Sequence, residues 1–244
     1  MIKYLEVKNT FRNKRFILFT VLFPAFWYLL MLNIGKEMSF LGENVQYLFF
    51  FTAAVIGIAG NSVVTFSKKI CDTKKYYRLQ SHVSHYDLKS WLSDQLVVQF
   101  VLNAMICFVL LLIGTAYQEI PWTKSFFVLL ILIMILGLYL TVIGFFVGLI
   151  LDGQTISALA MPLSMGASLL IAPWGSFFPG HNWLLDLYGA IQKVFPGYYV
   201  YEIVERMQTQ QELYLQISLF IITTLLVLVP IIFYSLRSRY FHQK

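Results

Sequence analysis

The chain has 244 residues, 59% of them hydrophobic, 17% aromatic and 12% charged, half the roughly 25% charged residues of soluble domains. Its mean hydropathy of +0.71 excludes an ordinary soluble domain and a disordered or collagenous chain. The net charge of +6 does not point to nucleic acid, because the basic residues flank apolar runs, where they set membrane topology.

The first fifteen residues are basic. Tyr4, Val7 and Phe11 share one helical face with Lys3, Glu6 and Lys8 turned away, which fits either a helix lying flat on a membrane surface or a basic tail that only sets orientation. Six apolar runs follow: Phe16–Asn33, Val45–Phe66, Leu96–Tyr117, Ser125–Leu151, Ile156–Pro173 and Leu213–Tyr234. None contains Asp, Glu, Lys, Arg or His. Each is near the ~20 residues needed to cross ~30 Å of hydrocarbon as a helix. The first is longer than the apolar core of a signal peptide and lacks a small-residue cleavage site, so it is expected to stay in the mature protein.

Basic residues cluster in alternate segments. Five precede the first run (Lys3, Lys8, Arg12, Lys14, Arg15), six lie between the second and third (Lys68, Lys69, Lys74, Lys75, Arg78, Lys89) and three follow the sixth (Arg237, Arg239, Lys244). Only Lys36, Lys124, Lys193 and Arg206 fall on the other side. The excess of Lys and Arg in cytoplasmic loops predicts that both termini are cytoplasmic. The expected fold is therefore all-α: an interfacial helix over 1–15 and a six-helix transmembrane domain over 16–244, with a basic cytoplasmic loop at 67–95.

The turn LDGQT (Leu151 to Thr155) is so short that the fourth and fifth spans are expected to be antiparallel neighbours. Between the fifth and sixth spans, residues 174–212 read as two short helices at the outer interface. Asn182 is a candidate N-cap, Trp183, Leu184, Leu187, Ile191 and Val194 recur on one face, and Pro196–Gly197 separates a second helix. The aromatics there, Trp174, Trp183, Tyr188, Tyr198, Tyr199 and Tyr201, suit a headgroup-level belt. Pro24, Pro162 and Pro230 lie inside runs and are expected to bend them.

Candidate chemistry is sparse. The sequence has no HExxH, GxSxG, CxxC or GxxxxGK[ST], which points away from an enzyme and from a cofactor or metal bound by this chain. His82 and His85 stand three apart without a third ligand, which favours a solvated basic face. Cys71 and Cys107 are expected to be free thiols, since one lies in a loop and the other within an apolar run. Gly137, Thr141, Gly144 and Gly148 form a small-residue stripe in the fourth run, and Ser157, Ala160, Ser164 and Ser168 another in the fifth. Both suit close helix packing within one subunit. Asn61 and Asn103 are costly to bury and should face a partner or a pathway. Ion-coupled transport is disfavoured because the runs lack the ionisable side chains it uses.

The order of elements resembles the permease subunit of type 2 ATP-binding-cassette exporters across essentially the whole chain. The resemblance is carried by FRNKRFILFTVLFPAFW (Phe11 to Trp27), APWGSFFP (Ala172 to Pro179) and KVFPGYYVYEIVERM (Lys193 to Met207). In size and aromatic content the chain is similar to permeases of Gram-positive peptide exporters, including the staphylococcal phenol-soluble modulin system. Family members often carry an acidic residue and Gly-Thr before a coupling helix. Here the stretch is KKICDTKKYYRLQSHVSHYDL (Lys68 to Leu88), and Asp72 and Thr73 match only in part.

The resemblance implies a bacterial plasma-membrane protein that works as a dimer with a second copy or close relative and with two separate ATPase subunits that hold ATP and Mg. It implies that Tyr76, Tyr77, Arg78, Leu79 and His82 contact the ATPase, supported by Tyr4 and Phe11. Asn61, Ser157, Ser164 and Ser168 are candidates for the pathway, and Trp174, Phe177, Phe178 and Trp183 for an outer gate. An uncharged pathway suits hydrophobic or amphipathic cargo, such as a peptide, toxin or antibiotic, in contact with membrane lipid. Export of polysaccharide or lipid-linked glycan, an ion-coupled carrier or channel, and a non-transporting scaffold are the alternatives.

Overall fold

The computed structural model describes residues 7–10, 12–37, 45–83, 88–117, 120, 122–171 and 183–229. Among these, 91% are helical and none lies in a strand, as the all-α reading expects. Three helices are long and apolar enough to cross a membrane: Val45–Lys74, Ser93–Ala116 and Lys124–Ile150. Thr20–Gly35, Pro162–Ile171 and Tyr214–Leu226 are shorter apolar helices.

Helix α1 joins Lys14–Phe16, a π-helical stretch Ile17–Leu22 and Phe23–Glu37. Pro24 has no amide hydrogen to offer the Thr20 carbonyl, and the chain answers with the wider turn before it, closed by Phe23 N–H to Leu18 O. That distortion is packed. A Cβ on Gly57 would meet Ile106 Cγ2 at 2.7 Å, Pro24 Cγ at 3.1 Å and Thr20 O at 3.2 Å, so the second helix has a glycine where the bent first helix packs on it.

Helix α2 runs through Val45–Ala59, a second π-helical stretch Gly60–Thr65 and Phe66–Val83. At 1.5 Å per residue it is roughly 60 Å long, about twice the hydrocarbon thickness. The segment from 67, expected to open a loop, therefore continues as helix to Val83. Its apolar half is the centre of the bundle: Leu48, Phe50, Phe51, Ala53, Ala54, Val55 and Ile58 are all at most 1% exposed. A helix so placed is held by dispersion and ring geometry. Phe50 meets Tyr28 and Phe126 edge-on at 5.9 and 5.1 Å, contacts worth about 0.5–1.5 kcal/mol each.

Helix α3 (Leu88–Ala116) and helix α4 (Lys124–Ile150) pack on α2. Thr123 caps α4, its Oγ1 accepting from Phe126 N–H at 3.3 Å and sharing a 2.6 Å hydrogen bond with the Tyr47 hydroxyl. At the other end, Lys74 Nζ donates to the Gly148 and Leu149 carbonyls at 3.3 Å each. A cation thus meets the negative pole of α4 and carbonyls that have no helical donor. This end, which carries Lys68, Lys69 and Lys74, is called the basic end below.

Helix α5 (Gly153–Ala158) and helix α6 (Ala160–Ile171) follow the LDGQT turn. The short turn predicts that α6 lies beside α4, but α6 packs chiefly on α2. The break at Leu159 redirects the chain, because Pro162 cannot donate to the Ala158 carbonyl.

Helix α7 (Trp183–Gln192) and helix α8 (Pro196–Gln208) match the two short helices expected, with Pro196 at the first helical position. Only α7 has the exposure of an interfacial helix. Helix α8 is inserted against α4 and against helix α9 (Tyr214–Leu226), with Tyr199, Val200, Ile203 and Val204 inside the main apolar cluster. Tyr199, expected in an aromatic belt, is 7% exposed, and its hydroxyl donates to Lys193 O at 2.8 Å. The α8–α9 turn passes through Gln210 at φ 54°.

Candidate functional site

The concentrated polar chemistry of the bundle lies where the π-helical stretch of α2 meets α3 and α4. Asn61 Nδ2 donates to Asn103 Oδ1 at 2.7 Å and to Gln99 Oε1 at 2.9 Å. Next to it Ser62 Oγ accepts from Asn103 Nδ2 at 3.3 Å and from Thr141 Oγ1 at 3.1 Å, and Thr141 also reaches Gly137 O at 2.8 Å. Asn61, Ser62 and Thr141 are 0% exposed. Among the described residues, Asn61 Oδ1 has no hydrogen-bond donor.

Close backbone approach makes this cluster possible. A Cβ on Gly137 would lie 2.8 Å from Asn103 Nδ2, one on Gly144 would lie 1.8 Å from Ser62 O, and one on Gly148 would lie 2.4 Å from Ser67 O. The small-residue stripe of α4 is therefore spent within one chain, on α3 at Gly137 and on α2 at Gly144 and Gly148. Interhelical polar contacts of this kind in bilayers are worth about 0.6 kcal/mol on average and up to about 1.7.

The predicted pathway residues do not converge. Asn61 is enclosed by α3. Ser168, 4% exposed, donates to Ser164 O at 2.8 Å within its own helix. Ser157 is exposed at the basic end, accepts from Lys68 Nζ at 3.0 Å and donates to Gly153 O at 2.7 Å. Asn103, expected to face a partner or pathway, faces Asn61 and Ser62. The sequence reading missed Gln99, and with it the stripe Gln95, Gln99, Asn103, spaced four apart and at most 2% exposed. That spacing was a readable signal: three amides on one face of an otherwise apolar helix.

At the basic end, a groove of about 730 Å³ is lined by Lys68, Asp72, Asp152, Gly153, Gln154 and Ser157. Asp152 caps α5, accepting from Thr155 Oγ1 and from the Thr155 and Gln154 amides. The Thr155 hydroxyl and these amides hold its carboxyl below the ordinary aspartate range. Cys71 Sγ donates to Leu151 O at 3.4 Å, and Cys71 and Cys107 are both free thiols. Among the described residues, no group of three or more His, Cys, Asp or Glu side chains could hold a metal.

Of the ATPase-contact candidates, Tyr76, Tyr77, Arg78, Leu79 and His82 fall on the basic extension of α2, and their side chains lie outside the described residues, as do Tyr4 and Phe11 entirely. Val7, on the same predicted face as Tyr4 and Phe11, packs against Phe16, Val98 and Leu102. Of the outer-gate candidates, Trp174, Phe177 and Phe178 lie outside the described residues, and Trp183 is 71% exposed at the start of α7. Comparison with protein-family models, curated proteins and solved structures finds no match.

Proposed function

We propose that this chain is the permease subunit of an exporter powered by separate ATP-binding-cassette ATPase subunits, crossing the plasma membrane six times with both termini in the cytoplasm and working with a second copy or close relative. The observation that carries this reading is the character of the buried polar groups. Among the described residues they are Thr, Ser, Asn and Gln throughout, with no Asp, Glu, Lys, Arg or His. Carriers driven by protons or ions keep ionisable groups inside the membrane at about 2.5–3.5 kcal/mol or more apiece. A bundle without them needs its energy from elsewhere.

The length of α2 supplies a route for that energy. Its second half carries Lys68, Lys69, Lys74, Lys75 and Arg78 and continues the same rod that forms the centre of the bundle. A partner that pushes on Tyr77 and Leu79 would move α2, and with it α4, through the Ser67 and Ile70 contacts on Gly148. Cargo would be hydrophobic or amphipathic, such as a helical peptide, because neutral walls do not compensate the desolvation of a highly charged polymer.

The test is Tyr77→Ala/Leu79→Ala in the complex reconstituted with its ATPase. Transport should fall at least tenfold while thermal stability stays within about 0.5 kcal/mol of the parent, which separates a coupling defect from a folding defect. Normal transport in the double variant would show that coupling lies elsewhere. Stimulation of ATP hydrolysis by lipid-linked glycans and by no amphipathic peptide would overturn the cargo assignment and leave the exporter reading standing.

A further inference from the structure

The groove at the basic end holds opposite charges close together. One cation, Lys68, and two carboxylates, Asp72 and Asp152, line its volume of about 730 Å³ with Gly153, Gln154 and Ser157. It lies where the apolar run of α2 stops at Phe66 and helix α4 stops at Ile150, the depth of lipid headgroups.

Each charge is held in place and keeps bonding capacity. Lys68 Nζ donates to Ser157 Oγ at 3.0 Å, and an ammonium has two further donors. Asp152 accepts from the Gln154 and Thr155 amides and from the Thr155 hydroxyl, which leaves room for one more donor among the about four a carboxylate can take. Asp72 Oδ1 lies 3.3 Å from a Cβ built on Gly153, so a larger residue at 153 would press on that carboxylate. The signs are thus divided across the groove, with the ammonium at Ser157 and the carboxylates at Gly153.

Apolar surface flanks these groups. Ile150 and Leu159, which bracket the turn and α5 in the chain, are exposed, and so are Pro162, Met165 and Leu169 along one face of α6. In the middle of that face, nothing among the described residues lies within 4 Å of a Cβ built on Gly166. Gly57, Gly144 and Gly148 are each filled by a neighbouring helix, whereas Gly166 leaves a shallow furrow.

We propose that this groove seats a membrane phospholipid with a phosphoethanolamine headgroup, its phosphate on Lys68, its ammonium on Asp72 and Asp152 and its acyl chains along the outer face of 159–169. An anionic headgroup would meet two carboxylates for one lysine, and a choline has no N–H with which to make charge-assisted hydrogen bonds to them. That the lipid belongs to the cytoplasmic leaflet rests on the orientation proposed above. The site itself does not depend on export.

Native mass spectrometry of the full chain tests the site without any ATPase, so its failure leaves the exporter reading intact. The chain is delipidated in detergent and titrated with phosphatidylethanolamine, phosphatidylcholine and phosphatidylglycerol of the same acyl chains. The parent should retain the ethanolamine lipid about fivefold more tightly than the other two. Lys68→Gln and Asp72→Asn, both at exposed side chains, should each remove that preference, while Glu205→Gln on α8 should keep it. Gly166→Leu, which fills the furrow, should weaken all three lipids and leave the preference in place. Equal retention of the three lipids by the parent marks an ordinary lipid shell and overturns the site, as does tighter retention of either other lipid or a preference that survives either charge variant. Unchanged retention in Gly166→Leu overturns the placement of the acyl chains.

Discussion

Gly144→Ala should be among the most damaging single-methyl changes in this protein, and Gly166→Ala should be harmless. The built Cβ of residue 144 lies 1.8 Å from Ser62 O and 2.8 Å from Ser62 C, backbone atoms that cannot swing aside as a side-chain tip can. To reach the 3.4 Å of ordinary contact, α2 and α4 must part by about 1.6 Å at this level, and overpacking of this kind costs about 1–3 kcal/mol. The same separation strains the Thr141 and Asn103 contacts to Ser62, adding about 0.6 kcal/mol for each bond lost.

A total near 3 kcal/mol corresponds to a fall of roughly 6–12 °C in midpoint for a chain of this size. Residue 166 is also a helical glycine, but among the described residues nothing lies within 4 Å of its built Cβ. Alanine there should leave the midpoint unchanged or raise it, since glycine costs about 1 kcal/mol in a helix. The assay is thermal unfolding of both variants in the same nanodiscs, followed by size-exclusion chromatography of the heated samples. Equal midpoints for Gly144→Ala and the parent, or a larger loss for Gly166→Ala, would refute the packing of α4 on α2.

A double-mutant cycle of Asn61→Ala and Asn103→Ala should give a coupling of about 1 kcal/mol, and strictly additive losses would mean that the two amides do not meet. Lys74→Met should lower stability by about 0.3–1 kcal/mol through loss of the cation at the end of α4, and Lys74→Arg should retain it; equal stability of both variants and the parent would argue against the cap. Asp152→Ala should destabilise the start of α5 at neutral pH. Because the folded carboxyl titrates below its unfolded value, the stability it contributes is present above roughly pH 3.9 and is lost as pH falls through its folded pKa. The gap between parent and Asp152→Ala midpoints should therefore close in acid, and a gap that persists unchanged at pH 2 would count against the capping role.

The helical class and the positions of the apolar helices were legible because each run is continuous, uncharged and bounded by turn residues. The two helices between Pro173 and Leu213 were legible too, through Pro196 and the spacing from Trp183 to Val194. Their burial was not. In a membrane protein the core and the lipid-facing surface are equally apolar, so FFFTAAVIGIAG (Phe49 to Gly60) does not announce that it is the central helix. Nor does YYVYEIV (Tyr198 to Val204) announce that it sits inside the bundle and not on its rim.

Tight turns misled for a related reason. LDGQT fixes where α4 ends, but the direction of α6 is set by Leu159 and Pro162 further on. Asn61 and Asn103 were recognisable as costly groups needing partners. That each is the other's partner depends on the π-helical stretch at Gly60–Thr65, and no residue in GNSVVT signals a wider turn. Gln99 was readable too, one helical turn before Asn103 on the same face, whereas Gln95 falls just before the run that begins at Leu96.

The most direct test of the central claim is to purify the chain from its native membrane in a mild detergent, assay the preparation for ATP hydrolysis and identify the co-purifying chains by mass spectrometry. The account predicts vanadate-sensitive hydrolysis that travels with a second chain bearing a GxxxxGK[ST] phosphate loop, and that drives an amphipathic peptide across liposomes after reconstitution. Transport of such a peptide by this chain alone, driven by an ion gradient with no ATP present, would contradict it.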